Sequence, residues 1–151
     1  MKRFRFPLQS VATVRAWRER EAREQFAARM HELAAADEAL RQARARLTEL
    51  EQVVRSARTG TFRPAEQAAS LAAYQTEQGA MQRAAQARGD AKAAVDRARE
   101  AWQTRRNELR AVEKLEQRAR QSHRLEHERA EQTLLDELAS MRGPRTSPVH
   151  S

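Results

Sequence analysis

The apolar residues between Phe26 and Ala57 follow a seven-residue repeat. A pattern of this kind that persists for more than four repeats is typical of a coiled coil. The stripe that such a pattern makes on a helix is long and narrow, so the helix requires a partner of similar length. The first set recurs every seven residues and the second follows it by three: Phe26, Leu33, Leu40, Leu47 and Val54, then Ala36, Ala43, Leu50 and Ala57.

A second stripe of the same kind lies later in the chain and predicts the partner helix. Between the two stripes, Gly60 and Pro64 favour the end of one helix and the start of another, and Gly79 weakens the segment that follows. The second stripe comprises Met81, Val95, Trp102 and Leu109, with Ala84, Ala91 and Ala98 between them and Val112 after them.

These patterns predict an all-α fold, a long antiparallel two-stranded coiled-coil hairpin with a short helix near the turn. The predicted helices cover about 8–58, 65–78 and 80–141. At a rise of about 1.5 Å per residue, the first and the last are long enough to pair along most of their length. With the turn at 59–79, the simplest register places Leu40 near Arg105 and Leu8 near Leu138. A basic and aromatic arm at 1–7 precedes this single domain at 8–142, and a disordered tail is expected at 143–151.

The repeat is less regular at both ends of the predicted hairpin. Leu8, Val11, Val14 and Trp17 recur every three residues, so their stripe rotates around the helix before the heptad begins at Phe26. Beyond Val112 the apolar spacing is irregular again. The half of the hairpin that holds both termini is therefore expected to be looser than the half beside the turn.

The composition supports an extended helical molecule. Of 151 residues, 5% are aromatic and 33% are charged, which is unlike a globular core. Disorder is the alternative for a mean hydropathy of −0.92, but disordered segments lack sustained heptads. The absence of cysteine fits a reducing compartment. No apolar run approaches the roughly 18 residues of a membrane span, and we expect a cytoplasmic protein.

The positive charge is concentrated near the N-terminus. The net charge is +8, and residues 1–30 carry eight Lys or Arg and three Glu, whereas residues 31–90 carry eight of each sign. A basic end suggests an acidic partner, which could be a protein surface, nucleic acid or anionic lipid. The alternative is that these arginines simply occupy solvated helix faces.

No constellation for catalysis is evident in the sequence. His123 and His127 have the spacing of two metal ligands on one helix face, but position 124 is Arg124, so the zinc-protease pattern is absent. Two exposed histidines are the simpler interpretation. There is no glycine-rich phosphate loop and no nucleophile with a positioned base, and we predict a protein that is not an enzyme and that uses no metal or cofactor.

More apolar residues surround the turn than one packed face can use. Val53 and Val54, for example, cannot both face the same partner helix. A surplus of this kind tends to mark an interaction site. The set comprises Leu47, Leu50, Val53, Val54, Phe62, Leu71, Tyr74 and Met81.

Two segments resemble the FliJ family of flagellar type III export proteins. The first is Phe4-Arg5-Phe6-Pro7-Leu8-Gln9-Ser10-Val11, followed by an Arg/Glu-rich helix with Glu19, Glu21, Ala22 and Ala27. The second runs from Trp102-Gln103 through Leu109 and Leu115-Glu116 to Glu128, Glu131-Gln132 and Leu135-Asp136-Glu137-Leu138. The length and the hairpin layout also agree across the chain.

The resemblance implies a non-catalytic antiparallel coiled coil, similar to the central stalk of rotary ATPases. Its implied partners are the hexameric export ATPase, the transmembrane export gate and export chaperones, at the cytoplasmic face of the inner membrane. The end with both termini would enter the ATPase ring through Arg15, Arg18, Arg20 and Arg23. The implied positions for the gate are Leu47, Leu50, Val54, Tyr74 and Met81.

Two other functions are compatible with the sequence. A basic coiled-coil nucleic-acid-binding protein would lose affinity steeply with salt, although no known nucleic-acid-binding motif is present. A homodimeric scaffold would use the same stripe between two chains and would have twice the monomer mass.

Overall fold

The described part of the chain folds into two long α-helices. The computed structural model describes residues 3–58, 60 and 63–142, and over this range it contains α1, Gln9–Arg58, and α2, Pro64–Met141. The described residues include no strand. The two helices pack against each other as a hairpin, which confirms the predicted fold class. The tail predicted at 143–151 lies outside the described residues.

Local chemistry explains where the helices begin and end. The Gln9 amide donates to the Phe6 carbonyl at 3.1 Å, in a turn that places Pro7 just ahead of α1. At the other end of α1, Arg55 and Arg58 lie in the last turn, where their charge complements the helix dipole. Pro64 starts α2 at the position where a missing N–H costs nothing.

α2 continues without interruption through the point where a break was predicted. The prediction of a separate short helix at 65–78 is therefore wrong, because these residues form the first turns of α2. Neither Gly79 nor Gly89 has a positive φ. A glycine inside a helix costs only about 1 kcal/mol. The packed face outweighs that cost, since half-buried side chains continue its seven-residue spacing back from Met81 to Tyr74.

The chain forms two compact units, to each of which α1 and α2 both contribute. The turn unit is Arg18–Arg105, and the terminal unit combines Met1–Trp17 with Arg106–Ser151. In the turn unit the helices run antiparallel, because residue numbers on α2 rise as those on α1 fall. The paired side chains are Glu51 with Tyr74, Arg46 with Glu77, Asp37 with Arg88, and Glu19 with Trp102.

This register corrects the predicted one. Leu40 lines a shallow cavity together with Ala85, so it does not lie near Arg105. The physical reason is the position of the turn. α2 begins at Pro64, not after a long connection at 59–79. Each α1 residue therefore pairs with an α2 residue about three heptads earlier in the chain than predicted.

The helices of the terminal unit are also antiparallel. Arg15 contacts Glu108, and Phe4 in the arm contacts His123. The predicted proximity of Leu8 and Leu138 is therefore wrong, since the chain segment just before Leu8 already reaches His123. α2 has residues left over beyond this contact, and every residue from 128 to 142 is exposed.

The predicted heptads form the packed faces beside the turn. Leu40, Ala43 and Val95 are buried in the turn unit, and Ala12 and Val112 are buried in the terminal unit. Ala57, the last member of the predicted set, is exposed.

The packed face of α1 departs from the prediction toward its N-terminus. Val11, Val14 and Trp17 are exposed, with Trp17 at 58%. The heptad set by Phe26 instead continues through Glu19 and Ala12, at the same seven-residue spacing.

Candidate interaction surfaces

An open groove lies between the end of α1 and the start of α2, in the turn unit. Its volume is about 880 Å³. Val53 and Leu71 contribute apolar surface, and both are more than half exposed. Apolar side chains left exposed beside a concave surface are typical of a docking site. The lining comprises Glu51, Val53, Val54, Arg55, Ala57, Arg58, Arg63, Glu66, Gln67, Ala69, Ser70, Leu71 and Tyr74.

The groove carries more positive than negative charge. Three arginines line it, and Arg63 lies 3.5 Å from the Glu66 carboxylate. The other acid, Glu51, accepts a hydrogen bond from the Tyr74 hydroxyl at 3.3 Å. Arg55 and Arg58 are exposed, so the groove combines an apolar surface with a basic rim.

The predicted gate residues divide into two groups. Val54 and Tyr74 line the groove. Leu47, Leu50 and Met81 are half-buried on the packed faces of the two helices. The more exposed apolar side chains, Val53 and Leu71, belonged to the predicted surplus near the turn but not to the predicted site. Their signal was the adjacent pair at Val53 and Val54.

The predicted ATPase-binding arginines have different surroundings. In the terminal unit, Arg15 Nη1 donates to the Glu108 carbonyl at 2.9 Å and is half-buried. In the turn unit, Arg23 lies 3.7 Å from Glu19. Arg18 and Arg20 are exposed. Two of the four thus have contacts within the hairpin, and the other two face solvent.

A polar and aromatic cluster interrupts the packed face of the turn unit. The Trp102 indole N–H donates to the Glu19 carboxylate at 3.0 Å. The Trp102 ring stacks on Phe26 with centroids 5.4 Å apart, and the Arg99 guanidinium lies 5.5 Å from the Phe26 centroid. A half-buried acid with these partners fixes which residues lie opposite each other.

Phe4 of the N-terminal arm packs onto α2. The Phe4 and His123 rings meet edge to face at 5.4 Å, and Arg120 lies over the Phe4 ring at 4.8 Å. His123 is half-buried and so is His127, which lies 3.8 Å from Glu131. The His127 side chain is 40% exposed, so of the two histidines it is His123, in ring contact with Phe4, that departs from the expected exposure. Among the residues placed by the structure, no group of three or more potential metal ligands occurs.

The last turns of α2 form a further exposed surface. We call this segment, residues 126–141, the α2 extension. Leu134, Leu138 and Met141 are exposed there. The extension has five acids, Glu126, Glu128, Glu131, Asp136 and Glu137, against one arginine, Arg129.

These features define a two-helix hairpin whose candidate sites are exposed surfaces along paired helices. The chain belongs to the FliJ family, because a family model described as Flagellar FliJ protein matches residues 4–146. The family consists of non-catalytic flagellar export components, so the protein is a component of the flagellar export apparatus. No curated protein and no solved structure matches the chain.

Neither helix has the character of a membrane span. Over the described residues, no helical segment is both long enough and apolar enough to cross a bilayer.

Proposed function

We propose that the protein is a non-catalytic stalk and adaptor of flagellar export. It binds the hexameric export ATPase and couples it to the membrane export gate and to export chaperones, in the cytoplasm at the inner face of the membrane. The observation that carries this proposal is the open, basic-rimmed apolar groove beside the turn. In a chain of a non-catalytic export family, such a surface supports contact with a partner protein.

The ATPase contact is assigned to the solvent-facing arginines of α1. Arg18 and Arg20 are exposed and lie in the strongly basic first 30 residues. Exposed basic residues on one partner accelerate association with an acidic surface and orient it. Arg15 and Arg23 share this region, but their contacts with Glu108 and Glu19 give them a role within the hairpin as well.

Copurification with the export ATPase tests this contact. A double variant, Arg18→Glu with Arg20→Glu, is expected to lower the affinity about tenfold or more, since it replaces attraction by repulsion at two sites. Arg41→Glu with Arg44→Glu makes the same change of charge at exposed positions elsewhere on α1 and is expected to bind normally. Equal binding by both variants would remove the arginines from the ATPase contact.

The gate contact is assigned to the groove of the turn unit. Val53 and Leu71 are the best residues to test, because both are more than half exposed and their replacement leaves the packed faces intact. Leu47, Leu50 and Met81 remain part of the proposed contact region, but truncation of these half-buried residues would also weaken the hairpin.

Motility and copurification with the cytoplasmic part of the export gate test the groove. Val53→Gln with Leu71→Gln is expected to reduce both, with an unchanged helical circular dichroism spectrum. Val14→Gln with Leu125→Gln is the matched control, since these residues are also exposed but lie in the terminal unit. Full motility and gate binding in the groove variant would refute the assignment.

A further inference from the structure

The α2 extension carries an apolar stripe that no other part of residues 3–58, 60 and 63–142 covers. At 100° per residue, Ala130, Leu134, Leu138 and Met141 fall within about 80° of the helix circumference. The three large side chains are 56%, 47% and 82% exposed. The stripe is separate from the arginines and the groove of the proposed function.

Within the extension, acidic residues border this stripe on both sides, and Arg124 and Arg142 lie just beyond its two ends on the Glu131 side. On the same helical projection, Glu131 lies on one edge and Glu126 and Glu137 lie on the other, each about 55–75° from the centre of the stripe. Arg129, the one arginine of the extension, projects to the opposite side. Residues at such edges set the choice of partner in two-stranded coiled coils.

The borders of the stripe decide which partner it fits. Two extensions side by side would bring glutamates against glutamates, which disfavours a second copy. Nucleic acid and anionic lipid would both be repelled by the same acids. An apolar stripe with acids on both edges is complementary to a helix that has its own apolar stripe between basic residues.

We infer that the α2 extension binds a basic amphipathic helix of a partner protein, laid along α2 over Leu134 and Leu138. In that position the partner helix covers the face of α2 that α1 covers elsewhere in the hairpin. Its apolar residues bury the stripe, and its Lys or Arg residues pair with Glu131 on one edge and Glu126 and Glu137 on the other.

Binding of designed peptides to the full chain tests this inference. One probe is a 21-residue helical peptide with leucines at the a and d positions and lysines at the e and g positions. The second probe has glutamates in place of the lysines. Fluorescence anisotropy is expected to show binding of the lysine peptide that weakens with salt, and about tenfold or more weaker binding of the glutamate peptide.

Matched variants separate the stripe from general attraction to an acidic helix. Leu134→Gln with Leu138→Gln is expected to weaken binding about tenfold or more, whereas Leu125→Gln with Leu135→Gln, at leucines of similar exposure off the stripe, leaves it unchanged. Glu131→Lys with Glu137→Lys is expected to weaken it about fivefold or more. Glu128→Lys with Asp136→Lys makes the same change of net charge on the other faces and has a smaller effect.

Three results would overturn the inference. One is equal binding of the two peptides, and another is an equal loss in the stripe and control variants. The third is a chain of twice the monomer mass in light scattering that becomes monomeric in the Leu134→Gln, Leu138→Gln variant, because the occupant would then be a second copy.

Discussion

The indole of Trp102 reaches across the packed face of the turn unit and donates a hydrogen bond to the Glu19 carboxylate at 3.0 Å. The Glu19 side chain is 13% exposed. A hydrogen-bonded acid at a position where apolar residues usually pack stabilises one register against the others, because any shift would remove its hydrogen-bond donor on α2.

A double-mutant cycle measures this contact. Glu19→Ala is expected to lower the free energy of unfolding by about 1–2 kcal/mol, and Trp102→Phe is expected to remove the hydrogen bond while it keeps the aromatic ring. Urea unfolding of both single variants and the double variant gives the coupling. Strictly additive effects would show that the hydrogen bond contributes nothing, and Leu125→Ala with Trp102→Phe serves as the uncoupled control.

The buried core of the turn unit predicts a contrast between two valines. Val95 is 1% exposed and Val53 is 58% exposed. Val95→Ala is expected to lower the free energy of unfolding by about 2 kcal/mol, because it leaves a cavity. Val53→Ala is expected to change it by less than about 0.5 kcal/mol. Thermal or urea unfolding compares them, and similar losses would contradict the packing described.

The glycines inside α2 predict a gain of stability. Gly89 lacks a positive φ, and a Cβ built there meets nothing within 4 Å. Gly89→Ala is therefore expected to raise the free energy of unfolding by about 0.5–1 kcal/mol. At Gly79 the added Cβ would meet the flexible end of Arg83 at 3.4 Å, so Gly79→Ala is expected to gain no more than Gly89→Ala. A loss of stability in Gly89→Ala would show that α2 is bent there in solution.

An exposed ion pair on α1 predicts a local response to acid. The hydrogen bond from Arg41 lowers the pKa of Glu38 below its ordinary value. Because the pKa is lower in the folded state, the stabilisation is present above the unfolded pKa and is lost as the pH falls through the folded one. In a carbon-13 titration, Arg41→Gln is expected to raise the midpoint of Glu38. The midpoint of Asp96, whose pKa is lowered by Lys92, should stay unchanged, and an unmoved Glu38 midpoint would contradict the contact.

Much of the fold could be predicted from the heptads, because an apolar residue at every seventh position leaves a helix few ways to pack. Leu40 and Val95 are buried as their spacing predicts. The register could not be obtained from spacing alone, since it depends on where α2 begins. Gly79 appeared to separate two helices. The packed face that continues through Tyr74 outweighs the cost of one glycine inside a helix, so α2 is continuous there.

The candidate surfaces were predictable in part. The adjacent valines Val53 and Val54 indicated surplus apolar surface, and the structure places both in the groove. The surroundings of Arg15 and Glu19 could not be predicted. A charged residue looks like a solvent-facing one in the sequence, and only its contact with the other helix shows that it lies on a packed face. The α2 extension was missed because the predicted register gave its leucines a partner on α1.

The unequal length of the helices restricts how the gene can change. Where α1 and α2 are paired, an insertion or deletion in one helix shifts every later residue away from the residue that packs opposite it on the other helix. Such a change preserves the core only when the other helix changes by the same number of whole heptads. The residues from 128 to 142 are exposed and have no such constraint from α1, so lineages can lengthen, shorten or exchange this segment one residue at a time while the hairpin stays folded.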